Sequence, residues 1–234
     1  MKNDLMGSGI VIPQPTWEKI KFSSKTDTNQ NLIMGATVST KNIVIIGLDG
    51  AGKTQLLYTL KLNDDPGRFE PTKCANFERL VVIKRPVRYI LNLWDLPGSI
   101  ELRPMWRLFW NWTNVETCVW VMHANDRTKL DKNLELLSQI CQDDGLRFSE
   151  IVVVLNIQDM NDVQRIKPEE FIQRVLGMPT IARRMQDQDM KVIELNAKDR
   201  KDLVTFKDML CTQRSLIEQE TKLTELGFVP VISE

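Results

Sequence analysis

The chain has 234 residues, of which 42% are hydrophobic and 26% charged, and its 31 basic residues are balanced by 31 acidic ones. This length suits one α/β domain with tails, with two small domains as the alternative, and the composition is ordinary for a soluble globular protein. The zero formal charge gives no electrostatic reason to expect a nucleic-acid partner, so we expect none. The longest apolar runs are far too short to span a membrane, and the N-terminus lacks the long apolar region of a secretory signal.

The cysteine and histidine content limits the kinds of site that the chain could form. The four cysteines are scattered without C-x-x-C spacing, so we expect reduced thiols, with Cys118 and Cys211 facing the core. His123 is the one histidine of the sequence, and alone it cannot build a His-based metal site or a catalytic triad.

Residues 1–37 precede the first predicted strand and contain helix-breaking prolines and a polar stretch. We expect a flexible N-terminal extension, with a segment docked on the domain or on a partner as the alternative. Within this region, Met34–Ser39 fits the N-myristoylation pattern M-G-x-x-x-[ST], which acts only at a chain start. Gly35 is therefore a lipid site, and a route to peripheral membrane association, only if translation begins at Met34.

A glycine-rich loop follows the first predicted strand. Lys41–Ile46 is a short apolar run typical of a buried strand, and Thr54–Leu62 carries leucines on one helical face. The sequence between them matches G-x-x-x-x-G-K-[ST] at every fixed position. In such a loop, backbone N–H groups cradle phosphate, Lys53 reaches the β- and γ-phosphates, and the Thr54 hydroxyl ligates Mg²⁺. The loop consists of Gly47, Leu48, Asp49, Gly50, Ala51, Gly52, Lys53 and Thr54.

The rest of the chain alternates strands with helices after one predicted hairpin, whose strands Phe77–Lys84 and Val87–Trp94 flank Arg85-Pro86. Such alternation predicts right-handed βαβ units. The predicted fold class is α/β with three layers: a mainly parallel six-stranded sheet with one antiparallel hairpin strand, and helices on both faces. The other predicted strands are Thr117–Met122, Glu150–Leu155 and Lys191–Leu195, and the other predicted helices are Arg103–Trp112, Leu130–Cys141, Pro168–Val175, Pro179–Gln186 and Leu203–Gln219.

Ligands of such sheets bind at the carboxyl ends of the strands, where three further loops carry polar residues. Asp95–Gly98 follows the second hairpin strand, where P-loop NTPases place the Asp that orients Mg²⁺ and its waters. Asn156–Asp159 follows the most hydrophobic strand and resembles the N-K-x-D loop of GTPases. The Asp of that loop accepts hydrogen bonds from guanine N1–H and the 2-amino group, a donor pair that adenine lacks. Asn196–Lys198 resembles the loop whose backbone N–H contacts guanine O6.

Taken in order, these motifs resemble the Arf/Arf-like branch of the Ras superfamily. Gly47–Thr54 resembles the branch's G-L-D-x-A-G-K-T, Pro71-Thr72 resembles the P-T of switch I, and Trp94-Asp95 resembles the W-D that opens switch II. Arg103–Arg107 is similar to its R-P-L-W-R, and Asn125–Arg127 to its N-D-R. The resemblance implies the P-loop GTPase fold for the three-layer domain.

The resemblance implies a Mg²⁺-dependent molecular switch that alternates between GTP and GDP. The switch domain would span residues 38–218, with a C-terminal tail over residues 219–234. Mg²⁺ would be held by Thr54 and, in the GTP state, by Thr72, with Asp95 behind its waters. The residues implied in catalysis are Lys53, Thr72 and Gly98. The residues implied in nucleotide binding are Gly47, Leu48, Asp49, Gly50, Ala51, Gly52, Lys53, Thr54, Gly98, Asn156, Ile157, Gln158, Asp159, Ala197 and Lys198.

The resemblance also implies binding partners, a cellular role and a location. Effectors, exchange factors and GTPase-activating proteins would bind through residues 68–112 of a monomer. The implied role is in membrane or vesicle trafficking, carried out in the cytoplasm or peripherally on Golgi or other endomembranes.

The sequence departs from the family at three positions of the implied site. Ser99 stands where the family's catalytic Gln orients the attacking water, and its side chain is too short to bridge that water to the γ-phosphate. We therefore expect slow intrinsic hydrolysis. Pro97 replaces a Gly and should stiffen switch II. Ile157 replaces the Lys that packs on the base, which removes polar support of the P-loop.

Aromatic residues are concentrated in and after switch II. Lys73–Ala75 replaces the family's I-G-F, which would reduce its aromatic effector triad to Trp94 and Phe109. Helical spacing predicts that half of the neighbouring aromatic residues, Trp106 foremost, fill the core and that half form a partner surface. The residues concerned are Trp106, Phe109, Trp110 and Trp112.

Two functional hypotheses remain open at this stage. The leading one is a guanine-nucleotide switch with slow hydrolysis, favoured by the intact phosphate, metal and base motifs. The alternative is a pseudo-GTPase scaffold that holds nucleotide statically or hardly at all, favoured by Ser99, Pro97 and Ile157. A P-loop metabolite kinase is disfavoured because the sequence has no Arg-rich lid.

Overall fold

The computed structural model describes residues 37–63, 67 and 69–211. The expected N-terminal extension up to residue 36, with Gly35, and the expected C-terminal tail lie outside this part of the chain. The strands are β1 (Thr37–Ile46), β2 (Asn76–Lys84), β3 (Val87–Asp95), β4 (Thr117–His123), β5 (Glu150–Asn156) and β6 (Met190–Leu195). The α-helices are α1 (Lys53–Leu62), α2 (Pro104–Trp112), α3 (Leu130–Cys141), α4 (Pro168–Leu176), α5 (Pro179–Gln186) and α6 (Arg200–Cys211).

The six strands form one sheet in the order β2-β3-β1-β4-β5-β6. Only β2 and β3 pair antiparallel, and the other neighbours pair parallel. The predicted α/β class, with its single antiparallel hairpin strand, is confirmed. Because β1 and β3 run in parallel, their carboxyl ends meet at one edge of the sheet, which is where the glycine-rich loop begins.

The central strands of the sheet are buried on both faces, as their apolar runs require. Alternate residues of β1 show this directly, since Val44 and Ile46 lie in one core cluster while Ile43 and Ile45 lie in the other. The first cluster is closed by α2, α3, α4 and α5, and the second by α1 and α6. The predicted buried thiols, Cys118 and Cys211, are in these clusters.

Among the described residues, two element boundaries differ from the sequence prediction by more than one residue. β1 begins at Thr37 rather than Lys41, because Thr37–Thr40 pairs with the start of β3 although it has little apolar character. The last helix begins at Arg200 rather than Leu203, with Asn196 N–H bonded to the Asp202 carboxylate just inside it at 2.8 Å. The predicted end of this helix at Gln219 lies outside the described residues.

Two of the four aromatic side chains of α2 fill the core, as predicted. Trp106 and Trp110 are buried at 4% and 5% exposure, whereas Trp112 is 73% exposed. The Trp106 ring meets Trp120 of β4 edge-on, with 5.9 Å between ring centroids. Phe109 is partly buried against the same core. Within the described part of the chain, none of the helices is long and apolar enough to cross a membrane.

Candidate functional site

The glycine-rich loop joins β1 to α1 at the carboxyl edge of the sheet. Gly52 ends it in a left-handed conformation with φ +87°, and a Cβ there would lie 2.2 Å from Asn156 Nδ2. Only glycine fits this close approach. The Asn156 amide donates to Ala51 O at 2.9 Å and is buried. The Asn156 side chain therefore ties the end of β5 to the backbone of the glycine-rich loop.

Lys53 opens α1 and is buried beneath the loop at 6% exposure. Its ammonium donates to Leu48 O at 3.0 Å. Burial lowers the pKa of Lys53, while the Asp95 carboxylate opposes that shift. A Cβ on Gly98 would lie 2.7 Å from Lys53 Nζ and 2.4 Å from Gly47 O. The structure thus brings the predicted residues Lys53 and Gly98 into direct proximity.

Oxygen ligands meet beside Lys53. The Thr54 hydroxyl donates to Asp95 Oδ2 at 2.6 Å and lies 2.7 Å from the Thr72 hydroxyl. Asp95 is fully buried, and its Oδ1 atom has no hydrogen-bond partner among the described residues. Burial raises the pKa of Asp95, and the hydrogen bond from Thr54 and the Lys53 charge oppose the shift. Two hydroxyls and an incompletely satisfied carboxylate are hard oxygen ligands, which fit Mg²⁺ or another hard divalent cation.

We call residues 69–75 switch I, following the family resemblance. Most of this segment is exposed. Two side-chain contacts hold it to α1: the Phe69 ring stacks on Tyr58 with 5.1 Å between centroids, and the Thr72 hydroxyl lies beside Thr54. Switch I therefore depends on few contacts within the described chain.

We call residues 96–112 switch II. Its first residues, Leu96 to Gly98, are buried. Trp106 Nε1 donates to Pro97 O at 2.8 Å, and Arg103 Nε donates to Gly98 O at 2.9 Å. Ser99, at the place of the implied catalytic Gln, is half-buried, and its carbonyl accepts the N–H groups of Leu102 and Arg103.

A third side chain fixes the far end of switch II. Trp110 Nε1 donates to Asp143 Oδ1 at 3.1 Å, in the turn after α3. The same oxygen accepts Gly145 N–H at 3.0 Å, and Arg107 Nε lies 3.2 Å from the other carboxylate oxygen. A Cβ on Gly145 would lie 2.4 Å from the Trp110 ring. The helix of switch II is thus bonded to the turn after α3 as well as to the residues that precede the helix.

The loop after β5 is organised by Asn125. Its Oδ1 accepts the N–H groups of Gln158 and Asp159 at 3.0 and 3.2 Å, and its Nδ2 donates to Asp159 O and Asp162 Oδ2. The exposed Asp159 accepts the Asn161 N–H at 2.9 Å through Oδ1. Asn125 therefore fixes the backbone from which the Asp159 carboxylate projects.

The remaining predicted binding residues take different positions. Ile157 is 4% exposed and lies in the core cluster with α3 and α4, while its N–H donates to Leu195 O at 2.8 Å. Ala197 is buried, and the exposed Lys198 donates its N–H to the Asn196 side chain at 2.9 Å. The loop after β6 thus lies beside the loop after β5, but the Ile157 side chain belongs to the core.

Sequence reasoning missed three residues that complete this arrangement. Asn76 Nδ2 donates to Asp95 Oδ2 at 3.2 Å, Arg103 holds Gly98, and Asn125 holds the Asp159 loop. Arg103 and Asn125 lie inside motifs that carry the family resemblance, so the motif was a usable signal. Asn76 had no signal, because its role comes from the pairing of β2 with β3.

The implied loss of an aromatic triad is wrong. Phe77, two residues after Ala75, packs on Trp94 at 4.4 Å between centroids, and Trp94 packs on Phe109 at 5.1 Å. Phe77 and Trp94 are paired directly across β2 and β3, so they share a face. The strand register supplies a third ring from a position that sequence matching did not indicate.

The chain is similar to known proteins in both sequence and fold. A model of the Arf family (ADP-ribosylation factor family) matches residues 30–214. The chain is 34% identical over 120 residues to ADP-ribosylation factor J of Dictyostelium discoideum, a match that covers 51% of this chain and 60% of that protein. The chain thus spans less than two thirds of that relative's length.

Among solved structures, the fold is similar to that of the Arl6 BBS3 small GTPase from Trypanosoma brucei, which was solved with the nucleotide analogue GppNp. The TM-score is 0.57 at 15% identity, over 74% of this chain and 95% of the other, and this likeness concerns the fold alone. The family match spans most of the chain and includes every loop of the site. The chain therefore belongs to the ADP-ribosylation factor family.

Proposed function

We propose that this protein is a guanine-nucleotide switch that binds GTP or GDP together with Mg²⁺. The observation that carries the proposal is the convergence of Thr54, Thr72 and Asp95 beside the buried Lys53. Lys53 and the loop N–H groups would neutralise the phosphates, and the threonine hydroxyls would ligate the cation, with Asp95 behind its waters. Mg²⁺ would supply charge neutralisation at the β- and γ-phosphates.

Guanine is the base that the second part of the site would select. Asp159 projects from a backbone fixed by Asn125, and its carboxylate can accept both the N1–H and the 2-amino group of guanine. Adenine offers no such pair. The bond from Asn156 to Ala51 O sets the distance between this loop and the phosphate loop.

Hydrolysis is proposed to be slow. Lys53 and the backbone of Gly98 remain to stabilise charge on the γ-phosphate, and Thr72 remains to position the metal. The Ser99 side chain cannot reach a water in the manner of Gln, and its carbonyl is engaged in the turn before α2. A partner that supplies a polar side chain would raise the rate.

Partners are proposed to bind through residues 68–112 of a monomer, on the face that carries the Phe77, Trp94 and Phe109 rings. Phe77 is 38% exposed at the rim of this stack, and aromatic residues contribute strongly to protein interfaces. By analogy with the family, we propose that the protein takes part in membrane or vesicle trafficking, in the cytoplasm or on Golgi or other endomembranes.

The direct test is to measure nucleotide affinity and to compare wild type with Asn125→Ala. We expect GTP and GDP to bind in a Mg²⁺-dependent way and ATP to bind far more weakly. Loss of the Asn125 amide should weaken guanine-nucleotide binding about tenfold or more, because two loop N–H groups lose their acceptor. Asn111→Ala, an exposed amide on α2, is the matched control and should leave affinity unchanged. Equal affinity for ATP and GTP would refute the proposal.

The alternative is a scaffold that holds nucleotide statically. The observation that favours it is the number of side-chain bonds that fix switch II, through Arg103, Trp106 and Trp110. Hydrogen exchange of the GDP-bound and GTP-bound protein separates the two functions. Protection that differs in switch I supports the switch, and identical protection throughout residues 69–112 supports the scaffold.

A further inference from the structure

The single histidine of the chain has no part in the proposed nucleotide site. His123 ends β4 beside Asn156 of β5, and it is half-buried. Its Nδ1 atom accepts the backbone N–H of Asn125 at 3.1 Å. An imidazole nitrogen accepts a hydrogen bond only when it carries no proton, so this contact requires a neutral ring with its proton on Nε2. The charge of His123 is therefore coupled to the backbone position of Asn125.

Asn125 passes this coupling to residues 156–162, which we call the base loop. Its Oδ1 atom accepts the N–H groups of Gln158 and Asp159. Its Nδ2 atom donates to the carbonyl of Asp159 and to the Asp162 carboxylate. A shift of the Asn125 backbone would disturb all four bonds. The carboxylate proposed to recognise guanine thus depends on the acceptor that the histidine supplies.

Gln158 connects the ring to the base loop a second time. Its side chain is hydrogen-bonded to His123. Its Nε2 atom also lies close to the glycine-rich loop, 3.5 Å from the place that a Cβ on Gly52 would occupy. A change at the ring would therefore reach the base loop directly and the glycine-rich loop through one side chain.

The charges that act on the His123 ring lie in the turn after β4. Burial lowers the pKa of His123; the Asp126 carboxylate opposes this shift, the Lys129 ammonium adds to it, and the hydrogen bond from the base loop opposes it. The neighbouring elements bring no further charge, since Asn156 is its partner on β5 and Gly47 packs against β4 from the β1 side. The folded environment thus favours the neutral ring.

We propose that His123 is a positioning residue of the base loop and that its protonation weakens the binding of guanine nucleotides. In the imidazolium form, a proton on Nδ1 would face the Asn125 N–H, and two donors cannot bond to each other. Asn125 would then move, and the base loop would lose the arrangement that presents Asp159. This inference rests on the proposed function, because the position of Asp159 matters only if guanine is bound there.

Affinity for GDP should fall as the pH falls. The bound state requires the neutral ring, whereas a loosened base loop lets the ring take up a proton, so acid favours the loosened state. Between about pH 7.5 and about pH 5.5 we expect a loss of several-fold. The loss should not exceed about tenfold, which is the ratio of protonated to neutral form at the lower pH for an ordinary histidine pKa of about 6.5.

The test compares pH profiles of GDP affinity, measured by isothermal titration with Mg²⁺ present. His123→Phe keeps a ring without an acceptor, so affinity should be about fivefold lower than wild type at about pH 7.5. His123→Asn supplies a carbonyl oxygen that does not titrate, so it should restore most of this loss and abolish the fall in acid. Protonation of the GDP phosphates affects all the proteins alike, so the difference between profiles isolates the ring.

A neighbouring charge provides a second test of the same ring. Lys129→Gln removes a positive charge that disfavours the imidazolium, so the fall in GDP affinity should move to higher pH. The matched control is Lys132→Gln, which makes the same charge change at an exposed lysine of α3 that pairs with Glu135. The control should keep the wild-type midpoint, and circular dichroism checks that each variant folds.

Three affinity results would overturn the proposal. They are parallel pH profiles of wild type and His123→Asn, wild-type affinity in His123→Phe, and an unchanged midpoint in Lys129→Gln. The single histidine also gives one set of ring nitrogen signals in NMR spectra, and a proton on Nδ1 at about pH 7.5 would overturn the proposal as well. Failure of the proposed function is distinct, because wild type would then bind no guanine nucleotide at any pH, whatever the ring signals show.

Discussion

Switch I and switch II lie at the same edge of the sheet, yet they are held very differently. Switch I is mostly exposed and depends on the Phe69 ring and the Thr72 hydroxyl. Switch II begins with buried residues and is fixed by bonds from Arg103, Trp106 and Trp110. Segments with few buried contacts open at low free-energy cost, so a change of nucleotide should move switch I first.

The largest effect is expected where switch II meets the phosphate loop. In Gly98→Ala, the added methyl would lie 2.4 Å from Gly47 O and 2.7 Å from Lys53 Nζ, and the backbone atoms there cannot give way locally. We expect nucleotide affinity to fall about a hundredfold, measured by isothermal titration. Gly177→Ala is the control, because the nearest atom to its added methyl is at an ordinary 3.6 Å. Unchanged affinity in Gly98→Ala would mean that switch II can withdraw freely.

Replacing the buried carboxylate of Asp95 tests the part of the site that would bind the metal. Asp95→Asn keeps the shape of the side chain but not its charge, so the Mg²⁺ dependence of nucleotide affinity should fall about tenfold or more.

In the nucleotide-free protein, the raised pKa of Asp95 has a further consequence for stability. A carboxyl with a folded pKa above its unfolded value favours folding at low pH and loses that contribution as the pH rises through the folded pKa.

The free energy of unfolding of wild type relative to Asp95→Asn should therefore decline as the pH rises from acid toward neutral. Urea titrations of both proteins at several pH values, with nucleotide removed, measure this difference. Added Mg²⁺ and nucleotide should restore stability to wild type alone. A pH-independent difference would contradict the burial argument.

Breaking the bond between switch II and the turn after α3 tests how firmly α2 is held. Trp110→Phe removes the indole N–H that reaches Asp143 and part of a buried ring, so the free energy of unfolding should fall by about 1–2 kcal/mol. Trp112→Phe changes the same residue type at 73% exposure and should stay within about 0.5 kcal/mol of wild type. Hydrogen exchange should show greater opening of α2 in Trp110→Phe alone.

The smallest expected effect concerns switch I. Thr72→Val removes the hydroxyl beside Thr54, and because the segment is exposed, the free energy of unfolding should change by less than about 1 kcal/mol. If Thr72 ligates the metal only with GTP, affinity for GTP should fall several-fold, on the order of 1 kcal/mol, while affinity for GDP is kept. Equal losses for both nucleotides would show that switch I does not distinguish them.

The fold was predictable because its signals are local. The five consecutive aliphatic residues of β5 and the strand–loop–helix pattern around Lys53 each specify an element without distant information. The start of β1 was not predictable, since Thr37–Thr40 is polar and becomes a strand only by pairing with β3. Phe77 was missed for the same reason, because its place in the aromatic stack depends on cross-strand register.

The residues of the candidate site were also predictable only in part. Lys53, Thr54, Thr72 and Asp95 were placed by motif and are brought together in the structure. The bonds that support them come from side chains whose roles depend on tertiary distance: Asn76 to Asp95, Arg103 to Gly98, and Trp110 to Asp143. The burial of the Ile157 side chain in the core was likewise not indicated by its place in a loop motif.

The bond from Asn156 to Ala51 O has a kinetic consequence for a nucleotide held in this site. It links the loop that would contact the base to the loop that would contact the phosphates, so neither half of the ligand can leave while both loops stay in register. Dissociation would then require one concerted opening rather than two easy steps, which lengthens the residence time of the bound nucleotide. A protein that accelerates exchange would act most effectively by separating these two loops.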